Sequence, residues 1–349
     1  MKVLNPHLIR TSHASDRTWS LHHGDVVKVL PTLPMASCDG CLCDPPYGLG
    51  YMRAEWDRQV PAVQIWRGVM KACKPGAYLL AFGGTKTIHR LMANIEDAGW
   101  QLKDMLMWIH GEGVPKGINI GDAIFKRSSA NAAGNEVGKH WDGYNTALKP
   151  AWEPIVLAQK PVDGTFASNA VERGCGGLNV DGCRIGSYDS VESINIGRWP
   201  ANLILDEEAA HELDRQSGHT RSSRGIRRRS GSEIGNGKTM NSFQSRIAAI
   251  GGYEDAGGAS RFFYVHKASK KERVDNGHPT VKPVRLCEYL ARLILQPKRA
   301  TPRRLLVPFS GSGSEMIGGL QAGWDQVSGI ERDSEYVETA RRRLAKCRS

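Results

Sequence analysis

The sequence predicts an α/β protein with a mainly parallel sheet that helices cover on both faces. Short apolar runs typical of buried strands alternate with segments of helical periodicity. Turn residues, mainly Gly and Pro, end these runs. The alternation is found towards both ends of the 349-residue chain and is interrupted in the middle. Because parallel strands need a crossover connection, this alternation favours a parallel sheet over an antiparallel one.

The first stretch, residues 20–161, supplies four predicted strands and two predicted helices. Turns that begin at Pro45 and Gly83 stop the first two strands. Thr85 and Thr87 can cap the helix that follows. The strands are predicted at Asp39–Asp44, Tyr78–Phe82, Met105–Ile109 and Trp152–Ala158, and the helices at Trp66–Cys73 and before Gly99.

The second stretch, residues 162–261, loses this alternation and is rich in Gly, Ser, Asn and Arg. Segments of this composition cannot pack a large core alone, so we expect an irregular insertion with a mobile basic loop. Such a loop either contacts a phosphate backbone or is a solvated surface, and the positive charge of the whole chain favours phosphate contact. Six arginines and no acidic residue lie between positions 215 and 230, namely Arg215, Arg221, Arg224, Arg227, Arg228 and Arg229.

The third stretch, residues 262–349, returns to the α/β pattern. Apolar residues recur at helical spacing between Val284 and Ile294, which predicts a helix with one buried face. A short strand, Leu305–Val307, runs into a Gly-rich turn, and the strand Gln326–Ile330 is followed by Glu331. The remaining predictions are a strand at Phe262–Val265 and a last helix lined by Tyr336, Ala340 and Leu344, with Arg341, Arg342, Arg343 and Lys346 at the negative end of its dipole.

Composition excludes several broad classes of protein. Lys and Arg number 47 against 36 Asp and Glu, which gives a net charge of +11. This balance fits either a polyanionic partner or a basic protein without one. Apolar residues make up 40% of the chain, too many for a mostly disordered protein. No apolar run approaches the roughly 18 residues of a membrane span, and Met1–His13 lacks the apolar core of a secretion signal, so we expect neither a membrane protein nor a secreted one.

The eight cysteines are few for a chain of this size, whereas disulfide frameworks are typical of small secreted domains. We therefore expect reduced, structural thiols in a cytoplasmic protein. His22, His23 and His278 have no ligand partner at a useful spacing, so no metal site is expected.

The first candidate site is the Gly-rich turn Pro308–Ser314, which follows a strand and opens a helix. Gly311 and Gly313 let the backbone turn sharply and approach a ligand closely. Glu331 ends the next strand, where an acid can accept hydrogen bonds from both hydroxyls of an adenosine ribose. These features suggest an adenosine-containing cofactor and leave NAD and S-adenosylmethionine open, although Met316 stands where the dinucleotide fingerprint needs a third Gly. A plain tight turn is the alternative.

The second candidate site is Asp44-Pro45-Pro46-Tyr47, directly after a buried strand. The two prolines hold the chain extended, so the Pro45 carbonyl can point into a pocket. A carboxylate, a rigid carbonyl and an aromatic ring are the groups that can hold a flipped-out base. Asp44 and the carbonyl would accept from its exocyclic amino group, and Tyr47 would stack on its ring. A bare turn is the alternative interpretation.

Together the two sites resemble those of the amino-methyltransferases that modify adenine or cytosine in DNA with S-adenosylmethionine. The resemblance covers nearly the whole chain outside residues 162–261. Four segments carry it: the catalytic motif Asp44–Tyr47, the cofactor loop Phe309–Gly313 with the ribose-binding acid Glu331, the segment His278–Pro283 that precedes the loop in one subgroup, and Gly24-Asp25, which in the family lies beside the cofactor adenine.

The catalytic motif precedes the cofactor loop, as in the circularly permuted β group of this family. The resemblance therefore implies a Rossmann-like methyltransferase fold in two halves, residues 20–161 with the catalytic motif and residues 262–349 with the cofactor loop. Residues 162–261 stand where the family keeps its target-recognition region. We expect Gly40–Cys43 and Leu305–Val307 to be adjacent parallel strands, which would bring both motifs to the carboxyl ends of their strands, where open α/β sheets bind ligands.

The resemblance implies S-adenosylmethionine as the cofactor and double-stranded DNA as the partner, and this group often forms dimers. The implied catalytic residues are Asp44, Pro45, Pro46 and Tyr47. The implied cofactor-binding residues are Asp25, Asp44, Thr280, Lys282, Phe309, Gly311, Ser312, Gly313 and Glu331. The DNA contacts predicted from the basic loop are Arg224, Arg227, Arg228 and Arg229.

Asp44 favours adenine as the target, because the cytosine enzymes resembled here usually have Ser at this position. The expected reaction is methylation of adenine N6 by base flipping and direct transfer. A cytosine-N4 enzyme of the same fold and a catalytically inactive DNA-binding relative are the alternatives. The chain departs from the family at Val307, where an Asp assigned to the methionine part of the cofactor is usual, and at Val281, where Gln is usual.

Overall fold

The computed structural model describes residues 7–12, 17–50, 55–111, 113, 117–127, 132–186, 197–222, 255–266 and 281–347. These ranges contain a sheet of ten strands. In order across the sheet they are β1 (His7–Ser12), β2 (Thr18–His23), β12 (Gln326–Glu331), β11 (Arg304–Val307), β3 (Cys38–Cys43), β4 (Cys73–Phe82), β6 (Trp152–Gln159), β5 (Gln101–Ile109), β7 (Leu203–Asp206) and β10 (Tyr264–His266). Neighbours run parallel except at β1 and β6, so the predicted mainly parallel sheet is confirmed. A separate antiparallel pair joins β8 (Thr220–Arg221) to β9 (Ala256–Gly257).

Helices lie on both faces of the sheet, as predicted. The described helices are α1 (Val26–Val29), α2 (Val63–Ala72), α3 (Ile88–Asp97), α4 (Ile120–Arg127), α5 (Ala132–His140), α6 (Phe166–Arg173), α7 (Glu207–Ser217), α8 (Val284–Leu293), α9 (Ser314–Ala322) and α10 (Ser334–Lys346). The last three pack on one face, whereas α1, α2 and α3 pack on the other. In the described part of the chain, no helix is long and apolar enough to cross a membrane.

Strand residues alternate between two cores, one on each face of the sheet. Leu305 belongs to the core that contains the buried Trp324, and Leu306 belongs to the core that contains the buried Trp66. The alternation follows from the two-residue period of a strand. Because both faces of the sheet are covered, the central strands are mainly apolar on both faces, which is why their short runs were recognisable in the sequence.

The two strands that carry the candidate motifs are neighbours, as predicted. Leu305 of β11 pairs in parallel with Gly40 of β3, and Leu306 pairs with Cys41. The carboxyl ends of β2, β12, β11, β3 and β4 therefore face one edge of the sheet. Because β6 is antiparallel to β4, its first residues, Trp152 and Glu153, reach the same edge. We call this the carboxyl edge.

Residues 162–261 are more regular than their composition predicts, so the expectation of an irregular insertion needs correction for the part that the structure describes. Strand β7 extends the main sheet by pairing in parallel with β5, with Leu203 opposite Met107. Asp206 then caps α7 by accepting from the backbone N–H of Ala209. The apolar run is only three residues long, so the average composition of a hundred residues hides it. The strand predicted at Phe262–Val265 begins at Tyr264 instead.

A buried carboxylate holds the amino end of β3, opposite the carboxyl edge. Asp39 is fully buried and accepts from Lys74 Nζ and from the backbone N–H of Arg304, each at 2.8 Å. The guanidinium of Arg299 also pairs with it. Since Asp39 and Arg304 are 265 residues apart, this group ties together the two halves of the chain.

Candidate active site

Residues predicted from both motifs meet at the carboxyl edge. Asp44 follows β3, and the Gly-rich loop follows the adjacent strand β11. Glu331 ends β12, and Asp25 follows β2, whose His23 pairs with Glu331. Four strands that lie side by side thus present the predicted catalytic and cofactor-binding residues in one row.

The Gly-rich loop has the backbone conformation that its glycines predict. Gly311 has φ of 47° and Gly313 has φ of 86°, in the left-handed region that favours glycine. A Cβ on Gly313 would lie 3.2 Å from the Cβ of Ala340 on α10. Arg343, also on α10, closes the loop from outside: its Nη1 donates to the Ser312 carbonyl at 2.6 Å and to the Ser312 hydroxyl at 2.9 Å. Arg343, one of the basic residues predicted at the end of α10, therefore has a specific partner.

The Glu331 carboxylate organises the backbone around this loop. Its Oε2 accepts from the N–H of Gly311 at 2.8 Å, and its Oε1 accepts from the N–H groups of Arg332 and Asp333 at 2.8 Å. Burial raises the pKa of Glu331, and these backbone hydrogen bonds oppose the shift. Each carboxylate oxygen has two lone pairs, so the group keeps capacity for a ligand hydroxyl.

Two further predicted cofactor residues are Asp25, which follows β2, and Phe309, which lies within this loop. The Asp25 carboxylate caps α1 by accepting from the N–H of Val27 at 2.8 Å, which fixes it just beyond β2. The neighbouring Gly24 N–H donates to the Glu331 carbonyl at 2.8 Å. The ring of Phe309 is partly buried, with its centroid 6.4 Å from that of Trp66.

Asp44 has one paired and one unpaired oxygen. Its Oδ2 accepts from Lys282 Nζ at 2.8 Å. Its Oδ1 is buried and has no hydrogen-bond partner within the described ranges of the chain. Burial raises the pKa of Asp44, which the Lys282 ammonium opposes and the Glu153 charge reinforces. An orphaned acceptor of this kind is costly, so a structure that retains it needs a reason.

Lys282, a predicted cofactor-binding residue, contacts the predicted catalytic residues Asp44 and Tyr47. Besides its bond to Asp44, Nζ lies 3.3 Å from Glu153 Oε2. It also lies 5.2 Å from the ring centroid of Tyr47 and 5.0 Å from that of Phe82. Burial opposes the charge on this ammonium, but the two carboxylates outweigh it and raise the pKa of Lys282.

Tyr47 is fixed from three sides. Its backbone N–H donates to Asp57 Oδ1 at 2.7 Å, and its phenol donates to Glu153 Oε2 at 3.0 Å. Its carbonyl accepts from the hydroxyl of Thr87 at 2.5 Å. The prediction that Thr87 caps its helix is therefore wrong for the side chain, which makes no capping hydrogen bond.

Sequence reasoning missed four residues of this site: Asp57, Glu153, Glu315 and Arg343. Asp57 is buried and also accepts from the N–H groups that follow Tyr47, so it shapes the loop that carries the predicted catalytic motif. A signal for Glu153 was available, because an acid inside an otherwise apolar strand needs a partner. Glu315, in the first turn of α9, is 4% exposed. Burial and the neighbouring Asp44 raise the pKa of Glu315 to about 8.

Several other predictions concern residues that the structure does not describe. Thr280, Arg224, Arg227, Arg228 and Arg229 lie outside the described residues. Of the other two arginines of the basic segment, Arg221 is exposed in β8 and Arg215 pairs with Glu212 at 2.6 Å.

The cysteines lie mostly in the core. All eight are free thiols, and seven of them are buried. Cys38 and Cys41 are separated by two residues, a spacing found in zinc sites, but both belong to the apolar core beside β3. Within the described ranges, no group of three or more His, Cys, Asp or Glu side chains is placed to hold a metal ion.

Comparisons with known proteins identify the family of this chain. Residues 38–342 match the N6/N4 family described as DNA methylase. The type II methyltransferase M.HindIII of Haemophilus influenzae is 30% identical over 121 residues, which are 34% of this chain and 38% of that protein's length.

Among solved structures, the M1.HpyAVI–SAM complex has a TM-score of 0.46 and 14% identity, covering 93% of this chain and 100% of that one. The cytosine-N4-specific PvuII DNA methyltransferase has a TM-score of 0.48 and 14% identity, covering 93% and 86%. Since the family match extends over most of the chain, this protein belongs to the N6/N4 DNA methylase family.

Proposed function

We propose that this protein transfers a methyl group from S-adenosylmethionine to the N6 amino group of adenine in double-stranded DNA. One observation carries the proposal within the family: the buried Oδ1 of Asp44, which has no partner in the described part of the chain. It is an acceptor held ready for a donor that the protein itself does not supply. The exocyclic amino group of an extruded base is such a donor.

The residues present fit an adenosine-containing methyl donor. The left-handed glycines at 311 and 313 bring the loop backbone close to a ligand, and the Glu331 carboxylate stands at the next strand end. The proposed contacts are made by Asp25, Phe309, Gly311, Ser312, Gly313 and Glu331, together with Thr280 as implied by the resemblance. When bound, S-adenosylmethionine supplies an electrophilic methyl group on its sulfonium.

The proposed roles of the catalytic residues follow from their contacts. Asp44 Oδ1 and the Pro45 carbonyl accept from the target amino group, which directs the nitrogen lone pair away from the conjugated ring. Pro46 keeps that carbonyl in place. Tyr47 stacks on the extruded base. Lys282 holds the other oxygen of Asp44, so the carboxylate cannot rotate away from the amino group.

We propose adenine as the target because Asp44 occupies the first position of the catalytic motif. The order of the motifs supports the permuted β group, with target recognition by residues 162–261 and phosphate contacts from Arg224 and Arg227–Arg229. Their positive charge suits a duplex partner.

The test is to incubate the protein with tritiated S-adenosylmethionine and duplex DNA, digest the DNA and identify the labelled nucleoside. Labelled N6-methyldeoxyadenosine is expected. Labelled N4-methyldeoxycytidine would show instead that cytosine is the target. No labelled nucleoside, with DNA binding intact, would identify an inactive relative.

A further inference from the structure

Glu153 links the groups on which the proposed reaction depends. It lies at the start of β6, whose antiparallel direction brings it to the carboxyl edge. The Tyr47 phenol donates to Glu153 Oε2 at 3.0 Å, and Lys282 Nζ lies 3.3 Å from the same oxygen. One carboxylate oxygen therefore contacts both the ring proposed to stack on the base and the ammonium that binds Asp44.

The Tyr47 phenol has a second acceptor close by. Lys282 Nζ lies 3.3 Å from Glu153 Oε2 and 2.8 Å from Asp44 Oδ2, so the Asp44 carboxyl is close to the phenol's present acceptor, and the phenol favours its charged form. Asp44 Oδ2 already accepts from Lys282, whereas Oδ1 has no partner within the described ranges, so Oδ1 offers the phenol an acceptor without a competing donor. A buried phenol that loses its acceptor turns to another one, since an unpaired buried hydroxyl is costly. Without Glu153 the phenol would occupy the oxygen that the target amino group needs.

We propose that Glu153 is a positioning residue of the methyl transfer, which accepts the Tyr47 phenol and so keeps Asp44 Oδ1 open for the target amino group. The inference rests on the proposed function. The proposed role requires no contact of Glu153 with the base or the cofactor. Its effect should therefore appear in kcat and depend on the Tyr47 hydroxyl.

The test compares four variants with the wild-type protein in the tritium assay: Glu153→Ala, Glu153→Gln, Tyr47→Phe, and Glu153→Ala combined with Tyr47→Phe. Glu153→Ala should lower kcat about 100-fold, the cost of a misplaced group at a reacting centre, with little change in KM for DNA. Glu153→Gln keeps an oxygen acceptor for the phenol and should retain most of kcat. Tyr47→Phe keeps the ring, and its kcat is the reference for the double variant.

The double variant is decisive. Once the hydroxyl is absent, nothing competes for Asp44 Oδ1, so Tyr47→Phe should restore Glu153→Ala to at least a tenth of wild-type kcat. A double variant as slow as Glu153→Ala alone would overturn the proposal, and so would a Glu153→Ala variant with wild-type kcat. Glu136→Ala, which removes an exposed acid on α5, is the matched control and should be unchanged.

Two further comparisons distinguish loss of the Glu153 role from unfolding of a variant and from failure of the proposed function. Thermal melting and cofactor titration of each variant show whether it is folded, and the Gln variant tests the acceptor role if the Ala variant does not fold. An inactive wild-type protein would refute the proposed methylation itself. An active wild-type protein with equally active Glu153 variants would refute only the role of Glu153.

Discussion

At the scale of single residues, the Asp44 carboxylate has one oxygen held by an ion pair and one without a partner in the described part of the chain. Lys282 holds Oδ2 at 2.8 Å, while Oδ1 stays buried and unpaired in the described part of the chain. Asp44→Ala should abolish methyl transfer, with a loss of roughly 10²–10⁴-fold or more, and leave cofactor binding largely intact. Tritium transfer and calorimetry measure the two effects separately. Near-wild-type turnover would refute the role of Asp44.

Glu331 is expected to contribute to cofactor affinity. A hydrogen bond from a ribose hydroxyl to a charged acceptor is worth about 1.5–3 kcal/mol. Glu331→Ala should therefore weaken S-adenosylmethionine binding, and the loss of its bond to the Gly311 N–H adds to the effect. Isothermal calorimetry gives the affinity. An unchanged value would mean that the cofactor binds elsewhere.

Glu315 should make stability depend on pH. Burial raises the pKa of Glu315 from 4.5 to about 8 in the folded protein. Folding therefore takes up a proton when the pH lies between about 4.5 and about 8. The contribution of Glu315 to stability therefore falls as the pH rises from about 4.5 to about 8. Glu315→Gln removes this dependence and should gain stability relative to the wild type between pH 5 and pH 9. Urea unfolding at both pH values gives the free energy of unfolding of the variant and of the wild type. A difference between the two proteins that is no larger at pH 9 than at pH 5 would contradict the prediction.

The residues that sequence reasoning found and missed differ in a physical way. Asp44 and Glu331 lie in local motifs at strand ends, where a few adjacent residues define the chemistry. Glu153, Asp57 and Arg343 act through partners that are distant in the chain, such as the 106 residues between Tyr47 and Glu153. Their roles depend on how the chain folds, and no local pattern contains that information.

At the scale of elements, the cofactor loop is held by a helix that follows it. Arg343→Ala removes the donor to Ser312 and should weaken S-adenosylmethionine binding at least tenfold, because hydrogen bonds to charged groups are worth about 1.5–3 kcal/mol. Arg342→Ala, one residue away and exposed, is the control and should bind normally. Calorimetry on both variants gives the comparison. Equal affinities would show that Arg343 only complements the helix dipole.

Elements with a strong apolar run were predictable, and those defined by pairing were not. The central strands followed from buried runs that end at turns, and the pairing of Leu305 with Gly40 confirms the adjacency that the permuted motif order implied. Strand β7 was missed because its three apolar residues become a strand only beside β5. The direction of β6, which places Glu153 at the site, is likewise set by its neighbours.

At the scale of the whole molecule, the net charge of +11 is the property that a DNA partner would use. Replacing Arg227, Arg228 and Arg229 by Ala should weaken DNA binding and flatten the slope of log affinity against log salt by roughly 1–3 units, since each phosphate contact contributes about −0.9. Cofactor affinity and target choice should not change, because phosphate contacts position a protein without reading sequence. A salt titration of both proteins is the measurement. Superimposable curves would show a solvated loop without a role in binding.

The contact between Asp39 and Arg304 also limits when β3 can be completed by its neighbour during synthesis. The residues it joins are 265 positions apart, so β3 has no β11 beside it until almost all of the chain has left the ribosome. At roughly 5–20 residues per second this delay lasts on the order of tens of seconds. Meanwhile the nascent chain exposes an apolar strand edge, which is prone to pair with other chains. Release of a shortened chain would leave that edge permanently open, so truncated products should aggregate rather than persist as half-enzymes.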